Sequence, residues 1–209
     1  MNTIQLMTML RLQNDLNTHI DPTWVDSDHD WVRAIHVESV ELLDHVGWKW
    51  WKQQTFDQAQ VDLELVDIWH FILSLMINDC EGNIQRAGLL LSEAWGLDLA
   101  SLPVSKNVNA DLAEAIGLAF REHSLQGIVV FRAALNRLGM TDERLYTMYL
   151  AKNVLNLFRQ EHGYKEGTYI KKWDGKEDNE VLADLMAREP DHSPADLRMS
   201  LEAAYTRVI

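Results

Sequence analysis

Two acid pairs in the sequence share a spacing and a position on the helix wheel. Glu38 and Glu41 stand at i and i+3 in a segment of helical apolar periodicity, and Glu64 and Asp67 repeat the arrangement. With Glu38 at the origin and about 100° per residue, Trp31, Leu42, Ile35 and Val46 fall to one side and Glu41 about 60° to the other. With Glu64 at the origin, Leu75, Ile68, Val61 and Ile72 take the apolar side, Phe71 sits close on the other, and Asp67 occupies the offset of Glu41. In both helices the acids therefore border the stripe that should face the core. An ionised carboxylate taken out of water without a partner neutralises itself or finds a cation. Four of them between two helices call for a hard, oxygen-ligated ion such as Mg²⁺ or Mn²⁺, and magnesium usually bridges protein carboxylates to substrate phosphates. The spacing thus predicts a phosphate-bearing substrate. The plainer alternative is that all four are edge acids of amphipathic helices with salt-bridge partners elsewhere. A di-iron carboxylate bundle would want Glu-x-x-His on two helices, and only Asp67 to His70 comes near that pattern.

Amides interrupt another apolar stripe. Leu6, Met9, Leu10, Leu16 and Ile20 form an arc that also contains Gln13 and Asn17. Buried amides need partners, so these two either bond to neighbouring helices or read a base, for a carboxamide can match the O4, N3–H and O2 edge of uracil. Trp48-Lys49-Trp50-Trp51-Lys52 is either core and rim packing or an aromatic face with cations suited to a base and its phosphates. Further on, Lys152, Asn156 and Arg159 stand at i, i+4 and i+7 on one helix face, and Tyr164 follows just past Gly163. They are either a solvated basic face or a converging anion site. A glycine-punctuated loop then supplies Lys171 and Asn179, and such a loop can fold over bound phosphates and exclude water.

The elements that must hold these groups are helices. Four prolines interrupt long stretches of helical spacing, and no alternating run suggests a sheet. We expect an all-α bundle with helices over 3–18, 31–48, 58–78, 87–95, 110–123, 126–138, 142–161, 177–188 and 195–206. Thr141, Asp142 and Glu143 mark one helix start, and Gly163 its end. The 209 residues, with 47% apolar content, are expected to form one domain, 1–209. The formal charge of −13 argues against nucleic-acid or anionic-membrane partners. Cys80 is the only cysteine, which excludes an internal disulfide and a thiolate zinc cluster within one chain. With no apolar run that reads as a leader or membrane span, a soluble, cytoplasmic protein is expected.

Taken together these segments resemble the dimeric, all-α dUTPases of kinetoplastids, some bacteria and some phages, within the all-α NTP pyrophosphohydrolases. The resemblance rests on Leu12-Gln13 to Leu16-Asn17, Glu38-x-x-Glu41, Trp48-Lys49-x-Trp51-Lys52, and Glu64-Leu-Val-Asp67-Ile-Trp69-His70-Phe71. Its most specific part is Lys152-Asn-Val-Leu-Asn156-Leu-Phe-Arg159-Gln-x-x-Gly163-Tyr164-Lys165, followed by Gly167, Tyr169, Lys171, Trp173 and Glu177-Asp178-Asn179. The middle, from Gln85 to Leu138, carries no such signature.

The resemblance implies hydrolysis of dUTP to dUMP and pyrophosphate by a Mg-activated water, with dUDP as a further substrate if attack falls on the β-phosphate. It implies a homodimer in which Glu38, Glu41, Glu64 and Asp67 hold Mg²⁺, and Glu41, with Glu38 beside it, orients the water. Gln13, Asn17 and Trp51 would surround the uracil and deoxyribose, with His70 nearby. Lys52, Lys152, Asn156, Arg159, Tyr164, Lys171 and Asn179 would hold phosphates or sugar. The rivals are a dCTP or broader dNTP pyrophosphohydrolase of the same fold, since an inverted amide exchanges donor for acceptor, and a non-catalytic helical binding protein that kept the scaffold.

Overall fold

A computed structural model describes residues 1–97, 108–122, 124–189 and 192–208. Its helices are α1 (Thr3–Ile20), α2 (Trp31–His45), α3 (Gln58–Asp79), α4 (Ile84–Gly96), α5 (Val108–Glu122), α6 (Ser124–Leu138), α7 (Asp142–Glu161), α8 (Asp178–Arg188) and α9 (Pro194–Tyr205). The architecture is all-α, as expected. No helix among the described residues is long and apolar enough to cross a membrane.

Helix α3 is the axis. Val61, Leu65, Ile68, Trp69, Ile72, Leu73 and Met76 are buried around most of its circumference, because α1, α2, α4, α6 and α7 all pack on it. A helix apolar on nearly every side must sit inside a bundle. That is why its polar residues, Asp62, Glu64, His70 and Ser74, are buried as well. Trp69 stacks on Phe131 at 5.5 Å and meets Trp95 edge-on at 5.2 Å.

A second apolar cluster gathers the end of α7 (Ala151, Leu155, Phe158) with Trp173, Leu182 of α8, and Leu197, Leu201 and Tyr205 of α9. It anchors the basic loop that follows α7. Helix α7 starts on Thr141, whose side chain accepts from the Arg144 N–H at 3.1 Å. It stops at Gly163, which adopts φ 85°, where a side chain would be strained.

Several boundaries differ from the sequence expectation. Helix α2 ends at His45 rather than Trp48, because Gly47 at φ 76° turns the chain away. The tryptophan segment consequently leaves the helix. Helix α4 begins at Ile84 rather than Ala87, since the Asn83 side chain caps it by accepting from the Arg86 N–H at 3.0 Å. The expected end of the fifth helix at His123 lies outside the described residues. A two-stranded hairpin also replaces pure loop, with β1 (Lys172–Trp173) antiparallel to β2 (Lys176–Glu177). Its turn is Asp174-Gly175 with both φ positive, 50° and 86°, and Asp-Gly is the dipeptide that two-residue turns of this hand prefer. Strands two residues long show no alternation, so the periodicity test passed over them.

Candidate active site

Helices α1, α2, α3 and α7 enclose a cavity of about 880 Å³, within the range of ligand sites. Gln13, Asn17, Glu38, Glu41, Glu64, Asp67, His70, Lys152, Asn156, Arg159, Tyr164, Lys171 and Asn179 all line it. Trp51 and Lys52 are exposed and are not among its lining residues. Trp51 instead packs edge-on against Trp48 and Trp50 at 5.3 and 5.7 Å. Besides Tyr164 and His70, the aromatic lining includes three residues to which the sequence reading gave no site role, Trp24, Trp31 and Phe71. Trp24 meets Trp31 edge-on at 5.8 Å, and Trp31 lies 6.3 Å from Phe71. Trp31 and Phe71 showed only apolar periodicity, which any core residue shares, and Trp24 lies in the turn between α1 and α2, where periodicity gives no signal.

On one wall, carboxylate oxygens of Glu38, Glu41 and Glu64 lie within 4.8 Å of one another. Burial, and then the neighbouring charges of Asp67 and Glu41, push the Glu38 carboxyl up to about 7. Glu64 is pushed up to about 8, again by burial first and then by Asp67, Glu38 and Glu41. His45 Nε2 stands 3.6 Å from Glu64 Oε1. The fourth acid, Asp67, turns to the opposite wall, where it accepts from Lys152 Nζ at 2.8 Å. These groups fit a hard divalent cation. Three convergent carboxylates form an all-oxygen donor set, and two of them hold protons near neutrality for want of positive charge.

The opposite wall is a network of cations and amides. Lys152, 2% exposed, also donates to Asn179 Oδ1 at 3.1 Å. The Arg159 guanidinium forks onto Asp178, with Nε to Oδ2 at 2.8 Å and Nη2 to Oδ1 at 2.7 Å. Its remaining N–H groups reach Asn156 Oδ1 at 3.0 Å and Asn179 Oδ1 at 3.1 Å. Tyr164 lies against the same guanidinium, 5.7 Å from ring centroid to Cζ. Asp178 is fully buried and also accepts from Tyr169 Oη at 2.8 Å. Both donors hold its carboxyl below the usual range despite burial. Its two partners, Arg159 on α7 and Tyr169 in the loop, tie the loop to α7. Nothing in the sequence distinguished Asp178 from the acids beside it.

On the third side, His70 Nδ1 lies 2.7 Å from Gln13 Oε1, and burial pushes the ring down to about 3, so it is neutral. Gln13 donates to Asn17 Oδ1 at 2.9 Å. The two amides are thus bonded to protein partners and also line the cavity.

The model of a protein family described as dUTPase matches residues 5–164. The chain belongs to that family. No curated protein matches it. The enzyme is a dUTP diphosphatase, hydrolysing dUTP to dUMP. Such dUTPases generally use a divalent metal, which accords with the three carboxylates described above. The matched segment ends at Tyr164, so Lys171, Asp178 and Asn179 enter the site by geometry and not by the match.

Proposed function

We propose that the enzyme works as a Mg²⁺-dependent homodimer in which acids on one wall and cations on the other divide the triphosphate between them. The observation that carries this reading is that the convergent Glu38, Glu41 and Glu64 line the same cavity as Lys152 and Arg159. Glu38, Glu41 and Glu64, with Asp67 next to them, would hold the metal. When bound, it would offset phosphate charge and strengthen a water as nucleophile.

Glu41 is the most exposed of the three convergent acids, which places it best to orient an attacking water and take its proton. The water oxygen bonds to the β-phosphorus, the bond from that phosphorus to the α–β bridging oxygen breaks, and dUMP leaves with the bridging oxygen while the water oxygen stays on the pyrophosphate. Attack at the β-phosphorus admits dUDP as well. Lys152 and Lys171 offer positive charge to the phosphates, while Arg159 spends most of its donors on Asp178, Asn156 and Asn179 and so sets where those amides stand. Gln13 and Asn17 face the uracil. Closure of the loop from Tyr164 to Asn179 excludes water.

Association into a dimer is supported by the apolar surface left open on and after α2. Val37 is 47% exposed, Val40 52% and Trp50 89%, and such a patch invites cover. The test of the chemistry is a panel of dUTP, dUDP, dCTP, dTTP and UTP with and without Mg²⁺, read as product release. Rapid, Mg²⁺-dependent turnover of dUTP and dUDP is expected. Equal turnover in excess chelator would remove the metal from the reading.

A further inference from the structure

We propose that Ser74, which does not line the cavity, is a positioning residue for base selection: it ends a one-way ring of hydrogen bonds that holds the Gln13 and Asn17 amides with N–H groups left over for uracil carbonyls. The proposal rests on the reading in which those two amides face the base.

The ring begins and ends on residue 70. Its ring Nδ1 lies 2.7 Å from Gln13 Oε1, Gln13 Nε2 donates to Asn17 Oδ1 at 2.9 Å, and Asn17 Nδ2 donates to Ser74 Oγ at 2.9 Å. Ser74 Oγ in turn donates to the His70 backbone carbonyl at 3.0 Å. All four side chains are buried. A carbonyl oxygen can only accept, so the single hydroxyl proton of Ser74 is committed to it, and Ser74 must accept from its other neighbour. Asn17 therefore turns its amino group to Ser74 and its oxygen to Gln13. Gln13 must then turn its oxygen to His70, and the imidazole proton must sit on Nδ1.

Reversing the ring is costly at Ser74. Ser74 would face the His70 carbonyl without a proton to give. The imidazole Nε2 is buried without a hydrogen-bond partner among the described residues whichever nitrogen carries the proton, so it does not choose between the two directions. Tyr149 does not decide the direction. Its single hydroxyl proton goes to Gln13 Oε1 at 3.1 Å when Gln13 stands as described, or to the Met9 carbonyl at 2.9 Å while its oxygen accepts from an inverted Gln13. The direction is set at Ser74.

What remains for a ligand follows from this direction. Gln13 Oε1 is contacted by both His70 and Tyr149, so the Gln13 amide has one N–H left and no easy lone pair. Asn17 keeps one N–H as well. Two donors suit the O4 and O2 acceptors of uracil. Cytosine replaces O4 with an amino group, so one donor would meet another, and an unpaired buried donor strongly penalises the wrong substrate.

The experiment compares kcat/KM for dUTP and dCTP in wild type, Ser74→Ala and Gln13→Ala, all in saturating Mg²⁺. Loss of the anchoring hydroxyl frees Asn17 and Gln13 to invert, and the dUTP-to-dCTP ratio should fall about 10-fold. A merely structural role for Ser74 would lower both substrates together, and an unchanged ratio in Ser74→Ala overturns the proposal. If Gln13→Ala lowers the ratio while Ser74→Ala does not, the base-facing amides stand and only the anchor falls. If Gln13→Ala leaves the ratio unchanged, the base-facing reading itself fails. A measurement on the wild-type protein covers the case in which Ser74→Ala does not fold. Two-bond ¹H–¹⁵N NMR, with the His70 signals assigned by their loss in His70→Asn, should find the proton on Nδ1. A proton on Nε2 would mean a ring running the other way and would overturn the proposal.

Discussion

The Lys152 ammonium lies 2.8 Å from Asp67 Oδ2, so one of four clustered acids is neutralised by the protein itself while the other three crowd together. Lys152 is almost wholly buried and the Asp67 side chain is one-quarter exposed. Removing the cation should leave a carboxylate that water reaches only in part. Lys152→Met keeps the apolar stem, and we expect the metal-free variant to lose about 2–3 kcal/mol in urea unfolding, somewhat below the cost of breaking a fully buried pair. Saturating Mg²⁺ should restore more stability to the variant than it adds to wild type, because Asp67 is released to join the other acids. An identical loss with and without Mg²⁺ would show that Asp67 takes no part in holding the ion.

The raised carboxyls make a second prediction, for pH. Glu38 and Glu64 titrate at about 7 and about 8 in the folded protein, against about 4.3 for an unperturbed Glu. The folded state thus binds protons that the unfolded chain has already released, and stability falls as pH rises through that window. His70 acts in the opposite sense, but below its ordinary value of about 6.5, where folding must keep the ring neutral. Between pH 6.5 and 8.5 the rise in melting temperature on adding Mg²⁺ should therefore grow with pH. A constant or shrinking increment would argue that the ion binds away from these two acids.

The apolar exposure on α2 gives an expectation for assembly. Light scattering should return twice the chain mass, and Val40→Asp, at a position 52% exposed, should shift the population toward monomer without altering the circular dichroism of the helices. A monomeric wild type with full activity would remove the dimer and leave the chemistry untouched.

How much of this was legible in the sequence depended on the range of the signal. An acid on an apolar stripe breaks a pattern within one helix, so the approach of Glu38 and Glu41 to Glu64 could be anticipated from spacing alone. The same holds for Gln13 and Asn17, whose burial at 3% and 6% follows from the arc they interrupt. Partner choice was not legible. Asp67 looked equivalent to Glu41 on the wheel, yet α7 brings Lys152 to one and not to the other, a contact across 85 positions of sequence. Trp51 was placed near a base by the family resemblance, while Gly47 ends α2 early and Trp51 stands 56% exposed. Asp178 lay in a run of Glu-Asp-Asn, and only the path of the chain through the Asp174-Gly175 turn selects it as the buried one.

Asp178 is accordingly the position where a small change should loosen the lid. Asp178→Asn removes the charge that Arg159 and Tyr169 share but keeps the size, leaving a buried guanidinium without its counter-ion. A stability loss of about 3–5 kcal/mol is expected. The loop from Tyr164 to Asn179 should then be cut faster by trypsin at Lys165, Lys171 or Lys172. The KM for dUTP should rise more than kcat falls, because Arg159, which positions Asn156 and Asn179, loses its anchor. Unchanged protection of the loop would mean that the second apolar cluster alone holds it down.

Glu41→Gln separates catalysis from binding most directly. The substitution keeps the shape and one oxygen while removing the charge that would orient the water and take its proton. General-base groups contribute typically about 10²- to 10⁴-fold in rate, so kcat for dUTP should fall within that range. A non-hydrolysable dUTP analogue should still bind in the presence of Mg²⁺, because Glu38 and Glu64 remain. Glu64→Gln should behave differently, since Glu64 is buried beside Glu38 and is assigned only to holding the ion. There the Mg²⁺ dependence and the analogue affinity should weaken together, with kcat recovering as Mg²⁺ is raised. A Glu41→Gln enzyme that turns over dUTP at near wild-type rate in saturating Mg²⁺ would exclude Glu41 as the base. The next candidate would then be Glu38, which lies beside Glu41 and Glu64 in the same cavity.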